Sequence, residues 1–204
     1  MGKRKIKVSW LITALLLLIQ TVALIVVYVF VNGALTNNIR ENTVANMRTI
    51  VEERSLLIEN YVRETERYLT AYSRAGEINE LLKNPTDPKA VAAAQKFTEK
   101  FSADMENLEG IYASEWNTHV LTHTNAGVVG IVTREGEPLK ALQDAMLKAN
   151  GVYNTGIIIS PASKQQIVSL YRAVLNDAGE PIGLVGGGVF TNGLIGMLDG
   201  LAIE

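Results

Sequence analysis

The chain has 204 residues, of which 48% are hydrophobic, and a formal net charge of −2. This length allows one domain with an anchor, or two small domains. Four of its 19 basic residues, Lys3, Arg4, Lys5 and Lys7, lie at the extreme N-terminus, so the remaining 200 residues carry 15 basic against 21 acidic groups. An acidic balance without a basic patch argues against nucleic-acid binding. The absence of cysteine excludes disulfides, thiolate nucleophiles and cysteine-based zinc sites.

An uncharged run of 24 residues, Val8 to Val31, follows the basic tail of residues 1–7. At about 1.5 Å per residue, a helix of this length exceeds the ~30 Å hydrocarbon core of a bilayer, which predicts a transmembrane helix over residues 8–31. A cleaved signal peptide is the alternative, but its apolar region is typically ~7–15 residues long. Because basic flanks remain in the cytoplasm, we expect a cytoplasmic N-terminus at the cell membrane and extracytoplasmic residues after 32.

A long amphipathic helix is predicted from Thr36 to about Gly76, inside an extracytoplasmic segment of residues 32–83. Arg54 and Thr65 interrupt its apolar stripe. Two interpretations stay open: the helix is simply the first of the domain, or its membrane-proximal part, Ile39 to Ile58, also pairs two copies as a parallel homodimer. The stripe residues recur at intervals that are sums of three and four, namely Met47, Val51, Ile58, Tyr61, Tyr68, Tyr72 and Ala75.

A globular domain is predicted over residues 84–204. Asp87 has the character of a helix N-cap, with Pro88 at the first helical position. A β-hairpin follows this helix, because two strand-like runs flank the polar turn Trp116-Asn117-Thr118. The predicted elements are a helix over 89–107, strands over 108–115, 119–124 and 127–132, a helix over 139–149, strands over 156–160, 166–175 and 181–190, and a helix from Asn192 to about Leu201.

This order of elements predicts an α+β fold. An N-terminal transmembrane helix and a long amphipathic helix lead into an antiparallel sheet of five or six strands flanked by helices, with the helices on one face. Strand geometry places alternate side chains on the same face, so His119, Leu121 and His123 are expected to share one.

The hairpin resembles the start of a Cache domain, the PAS-like extracytoplasmic sensor module of bacterial transmembrane receptors. The elements that carry this resemblance are Tyr112 to Asn117, His123-Thr124-Asn125 and Val129-Gly130, and it covers roughly Ile39 to Glu204. It implies small-molecule sensing and signal transduction by a receptor of the methyl-accepting chemotaxis type. A membrane diguanylate cyclase, a histidine kinase or a non-signalling anchored surface domain are the alternatives. We expect the chain to be the N-terminal part of a longer receptor.

Six side chains around the predicted sheet are candidate ligand-binding residues. Arg172 shares a strand face with three apolar residues, so we expect it to anchor an anionic ligand; an internal ion pair or a snorkelling side chain is the alternative. Glu115-Trp116-Asn117 lacks the Arg and Tyr of amino-acid-binding Cache domains, which argues against an amino-acid ligand. The candidates are Tyr112, Trp116, His123, Tyr153, Tyr171 and Arg172.

The remaining motifs favour neither a metal site nor catalysis. His119 and His123 are spaced as helical metal ligands, but they lie on a predicted strand and lack the neighbouring glutamate of a zinc protease. The run Gly186-Gly187-Gly188 is either the floor of a ligand pocket or a helix-packing site. Because no nucleophile elbow or paired-carboxylate motif is present, we predict no enzyme activity, no metal and no cofactor.

Overall fold

The computed structural model describes residues 8–199. The predicted basic tail and the end of the last predicted helix lie outside these residues. In chain order the elements are helices α1 (Val8–Ser73), α2 (Gly76–Lys83) and α3 (Pro88–Ser102), strands β1 (Leu108–Ser114) and β2 (Val120–His123), a 3-10 turn (Ala126–Val128), helix α4 (Gly136–Ala149), strands β3 (Val152–Ile159), β4 (Gln166–Leu175) and β5 (Pro181–Phe190), and helix α5 (Thr191–Asp199).

The chain divides into two compact units, one ending at Arg54 and the other beginning at Ser55. In the first unit the apolar side chains of α1 are exposed, except that of Ile50, which is partly buried. The described residues contain one helix, Trp10–Ser73, that is long and apolar enough to cross a membrane. A candidate membrane-spanning helix therefore lies near the N-terminus, as the sequence predicted. The predicted domain limits stay predictions.

In the second unit, α1 packs through a stripe that differs slightly from the predicted one. Tyr61 and Tyr72 are buried as expected, but Leu69 is buried in place of Tyr68, which is 40% exposed. Thr65 is also buried, and its hydroxyl donates a 2.9 Å hydrogen bond to the carbonyl of Tyr61. A threonine that satisfies its hydroxyl within the helix therefore continues the packing face rather than interrupting it.

The sheet has five antiparallel strands in the order β2-β1-β5-β4-β3, which confirms the predicted α+β class. Strand β5, last in the chain, lies at the centre between β1 and β4. The first hairpin joins β1 to β2 as predicted, and α3 begins with the predicted cap, in which Asp87 accepts a 3.0 Å hydrogen bond from the Lys89 amide.

The strand predicted over residues 127–132 is wrong. Ala126–Val128 forms a 3-10 turn, capped by Asn125, whose side chain accepts a 3.0 Å hydrogen bond from the Gly127 amide. Gly130 has a φ of 85°, so the chain turns again, and a single bridge links Val132 to His119. Two close turns prevent an extended run, although the valines suggested one. We call residues 126–134 the wall loop.

The prediction that the helices lie on one face is also wrong. Helices α1, α2 and α3 contribute to the main core, which includes Tyr72, Ile111 and Leu170. Helix α4 instead packs Leu142 and Met146 in a second cluster with Tyr171 and Leu184. Since neighbouring strand residues point to opposite faces, Leu170 and Tyr171 place these two clusters on opposite sides of the sheet. Helix α4 covers only part of its face, and a cavity fills the remainder.

Candidate ligand-binding pocket

A row of side chains crosses the sheet on the face that carries α4. The strand register pairs His123 with Tyr112, Tyr112 with Gly186, Gly186 with Tyr171, and Tyr171 with Tyr153. Paired residues on neighbouring strands point to the same side of a sheet. The register therefore aligns four aromatic side chains, with a glycine at the centre of the row.

Gly186 leaves the space that the Tyr112 ring occupies. A Cβ built on Gly186 would lie 2.6 Å from the Tyr112 hydroxyl oxygen, closer than side chains tolerate. Tyr112 stacks on His123 with ring centroids 5.3 Å apart and planes 15° from parallel. Gly110 makes room for His123 in the same way, because its Cβ would lie 2.7 Å from the imidazole Cε1.

Beside this row lies a cavity of about 330 Å³. This volume lies at the lower end of the range for small-molecule sites. Bare backbone at Gly188 forms part of its floor, and Tyr112, His123 and Tyr171 line one side. The remaining apolar lining comes from the wall loop, β2, the end of β3 with the residues after it, and β4, as Val120, Val128, Ile131, Val132, Ile158, Pro161, Ala162 and Ile167.

One cation and one carboxylate face this cavity. Arg134 donates a 3.0 Å hydrogen bond to the Tyr171 hydroxyl, and its Cζ lies 4.9 Å from the centre of the Tyr171 ring. Glu109 accepts a 2.6 Å hydrogen bond from the Ser160 hydroxyl. Both charges are therefore held by side chains of the pocket itself. Opposite charges in an apolar cavity suit a ligand that carries both an anionic and a cationic group.

Thr118 fixes the backbone of Arg134. Its hydroxyl accepts a 3.0 Å hydrogen bond from the Arg134 amide and donates one of 2.9 Å to the Arg134 carbonyl. Thr118 is 1% exposed and has a φ of 68°. The turn of the first hairpin thus anchors the end of the wall loop.

His123 is held in one tautomer. Its Nδ1 accepts a 2.8 Å hydrogen bond from the Asn125 amide, so the neutral ring carries its proton on Nε2. Gln95 of α3 fixes the backbone at the same position. Its side chain donates a hydrogen bond of 3.0 Å to the His123 carbonyl and accepts one of 3.2 Å from the His123 amide. Burial lowers the pKa of His123, and the charge of Glu109 opposes this shift to a smaller extent.

Tyr112 stays protonated throughout the ordinary pH range. Burial raises the pKa of its hydroxyl well above 10.0, and the neighbouring Tyr171 raises it further, against a smaller opposing effect of Arg134. Tyr112 is therefore available to the pocket as a neutral hydrogen-bonding group.

The structure brings three of the six candidate residues into this pocket. Tyr112, His123 and Tyr171 line it. Trp116 and Tyr153 pack instead around the second cluster, beside α4. Arg172 lines a separate groove with Arg74, because it follows Tyr171 on β4 and must point to the other side of the sheet.

The expectation of a shared face for His119, Leu121 and His123 is likewise not met. Leu121 belongs to the main core, while His123 stacks on Tyr112 at the pocket. His119 pairs through Nδ1 with Glu115 at 2.8 Å. The register of β1 and β2 shifts between Ala113 and Ser114, which breaks the simple alternation.

Sequence reasoning missed the charged residues of the pocket. Arg134 is the last residue of the wall loop, outside any periodic pattern, and Glu109 lies at a register shift between Leu108 and Gly110. Ser160 follows the last residue of β3 and is 2% exposed. The only sequence signal for any of them was their position next to a predicted strand end.

Comparison with solved structures establishes the fold. The chain is similar to the sensory domain of the Campylobacter jejuni chemoreceptor Tlp3 with isoleucine bound, with a TM-score of 0.61 and 17% identity over 78% of this chain and 63% of that one. The sensor domain of the V. cholerae histidine kinase DctB matches with a TM-score of 0.60 and 12% identity, over 73% of this chain and 56% of that one. A third similar structure is the ligand-binding domain of the Pseudomonas fluorescens chemoreceptor CtaA in complex with L-isoleucine. It matches with a TM-score of 0.52 and 17% identity, over 74% of this chain and 58% of that one.

These structures confirm, at the level of the fold, the resemblance to extracytoplasmic sensor domains that the sequence suggested. The chain spans less than two thirds of the length of each of them. No family model matches the chain, and no curated protein matches it.

Substituting Gly186→Ala should displace the Tyr112 ring, because the added methyl group occupies its position. Overpacking of this kind costs ~1–3 kcal/mol of unfolding free energy. Thermal unfolding of the full chain in detergent micelles measures this loss. Gly187→Ala is the matched control, since its Cβ would meet its nearest neighbours at an ordinary 3.6 Å. Equal melting temperatures for the two variants would contradict the packing described for Tyr112.

Acidification should destabilise the folded protein through His123. Its folded pKa lies below the ordinary 6.5, so the unfolded chain binds the proton more readily. The stabilisation is complete above about pH 6.5 and is lost as the pH falls toward the folded pKa. Protonation also removes the Nδ1 lone pair that accepts from Asn125. His123→Gln should flatten the fall in melting temperature between pH 7 and 5. An equally steep fall in this variant would show that His123 does not cause the dependence.

Proposed function

We propose that this chain is the membrane-anchored, extracytoplasmic sensor part of a bacterial signalling receptor, and that it binds a small molecule in the cavity between the sheet and the wall loop. The observation that carries the proposal is the cavity itself, lined by Tyr112, Tyr171, Arg134 and Glu109. The fold it shares with the sensor domains of Tlp3, CtaA and DctB supports the same function. A chemoreceptor is the first choice of receptor class, with a histidine kinase or diguanylate cyclase as alternatives. The absence of enzyme activity stays a prediction.

The ligand we propose is a small amino acid or a similar zwitterion. Arg134 provides the cationic group for a carboxylate, and Glu109 the anionic group for an amine. The apolar wall loop then faces the remainder of the ligand. Two of the similar domains, those of Tlp3 and CtaA, were crystallised with isoleucine. This proposal replaces Arg172 by Arg134 as the charged anchor. It also revises the expectation against an amino-acid ligand, because that expectation rested on Glu115-Trp116-Asn117, which does not line the cavity.

A thermal-shift screen of the full chain in detergent micelles tests this function. The library contains amino acids, organic acids, amines and nucleobases. A ligand at 100 times its dissociation constant adds roughly 2.7 kcal/mol to the unfolding free energy. For a domain of this size, that corresponds to a rise of roughly 5–10 °C in melting temperature.

Variants locate the binding site. Arg134→Gln and Glu109→Gln should each abolish the shift, whereas Arg48→Gln, a control on the exposed part of α1, should retain it. No shift with any compound would favour a structural surface domain. If organic acids raise the melting temperature and still do so in Glu109→Gln, the ligand is an anion rather than a zwitterion.

We also propose that residues after 32 are extracytoplasmic and that two chains pair along α1. The basic tail supports the orientation. Exposed apolar residues of α1 beyond the predicted transmembrane residues 8–31 support the pairing, because such side chains in water favour a partner surface. They are Ile39, Val44, Met47, Val51 and Leu56.

A single cysteine tests both proposals, because the natural chain has none. Val51→Cys in intact cells should react with a membrane-impermeant maleimide and should form a crosslinked dimer under mild oxidation. Glu53→Cys, roughly 200° further around the helix, is the matched control and should label but crosslink poorly. Labelling only after lysis would contradict the extracytoplasmic position of these residues. Equal crosslinking of both variants would contradict pairing along the apolar side of α1.

A further inference from the structure

A second groove, of about 350 Å³, lies at the end of β4 and takes its lining from both faces of the sheet, with Arg172 and Val174 on the face opposite the pocket. The carboxyl end of α1, the end of α4 and strand β4 form it. Two arginines line it, Arg74 just after α1 and Arg172 on β4. Its polar lining is completed by Ser73, Asn79 and Asn150. None of the described residues that line this groove is acidic.

Among residues 8–199, no carboxylate lies within ion-pair distance of either guanidinium group. Neither side chain makes a hydrogen bond or an ion pair there. Arg172 lies on the strand face of Leu170 and Val174, both buried, so it is partly removed from water. Burial lowers the pKa of Arg172, and the positive charge of Arg74 lowers it further. Like charges in a half-buried groove destabilise the empty protein.

Helix dipoles offer the strongest competing explanation for these arginines. Both α1 and α4 end at the groove, and a helix carboxyl end carries about half a negative charge. Two such ends offset about one of the two positive charges. In the described structure neither guanidinium donates to the carbonyls of these helix ends. The helix ends therefore do not neutralise both arginines.

We propose that this groove binds a small oxyanion, a carboxylate or a phosphate, between Arg74 and Arg172. A guanidinium presents parallel N–H donors that match both kinds of oxyanion. Arg172 approaches the anion from the sheet and Arg74 from the end of α1, so the bound anion links the two elements. This site is separate from the pocket and does not depend on the function proposed for it.

Calorimetric titration of the full chain in detergent micelles, at constant ionic strength set by chloride, tests the site. Inorganic phosphate and succinate are the two probes, and the tighter of them identifies the chemical source of the oxyanion. We expect saturable binding with one anion per chain. Arg172→Gln and Arg74→Gln should each lower the affinity roughly tenfold or more, because each removes a charged hydrogen-bond donor. Arg74 is exposed, so its substitution tests the site even if Arg172→Gln unfolds.

Arg134→Gln provides the control for location, because it alters the pocket and leaves the groove intact. Unchanged phosphate or succinate binding in this variant supports the groove, whereas loss of binding would assign the anion to the pocket. The inference is overturned if neither probe binds saturably, or if binding survives both groove substitutions. A third outcome would also contradict the site: no anion binds to the natural chain, and Arg74→Gln lowers the melting temperature without anions. Arg74 would then only stabilise the carboxyl end of α1.

Discussion

The pocket depends on glycines of the central strand, which place no side chain on the pocket face. At Gly186 and Gly188, strand β5 is bare backbone on the pocket face, and hydrogen bonds from β1 and β4 on both sides hold it in place. Glycine normally weakens a strand, because it packs nothing and loses more conformational freedom on folding. Here the loss of strand stability makes room for an aromatic side chain, since the Tyr112 ring lies where a Gly186 side chain would be. Gly187 faces the opposite side, where an added Cβ would lie 3.6 Å from Leu69 of α1, so the glycine run borders both the cavity and a packed helix.

Local patterns predicted most of the elements and three of the pocket residues. The cap at Asp87, the first hairpin and the strands β4 and β5 all lie where capping chemistry, turn residues and alternation placed them. Tyr112 and Tyr171 could be proposed separately as aromatic strand residues. Their alignment across Gly186 could not, because it depends on the register between β1 and β5, which lie more than 60 residues apart in the chain.

The failures have two physical origins. Arg134 and Glu109 come from a loop and a register shift, where no periodicity indicates the direction of a side chain. Arg172 lies outside the pocket for a different reason: it follows Tyr171 on β4, and neighbours on a strand face opposite sides of the sheet. An anionic ligand for Arg172 stays a prediction, now placed in the two-arginine groove.

The central claim is that a small molecule binds between the sheet and the wall loop, and amide hydrogen exchange of the full chain tests it most directly. With saturating amounts of a compound that raises the melting temperature, exchange should slow at Gly130, Thr133 and Arg134 and at Ala162 and Ser163. These amides donate to Val120, Thr118 and Ser160, and they belong to the two segments beside the cavity, the wall loop and the residues after β3. Unchanged exchange at these amides in the ligand-saturated protein, with protection found elsewhere, would contradict the account.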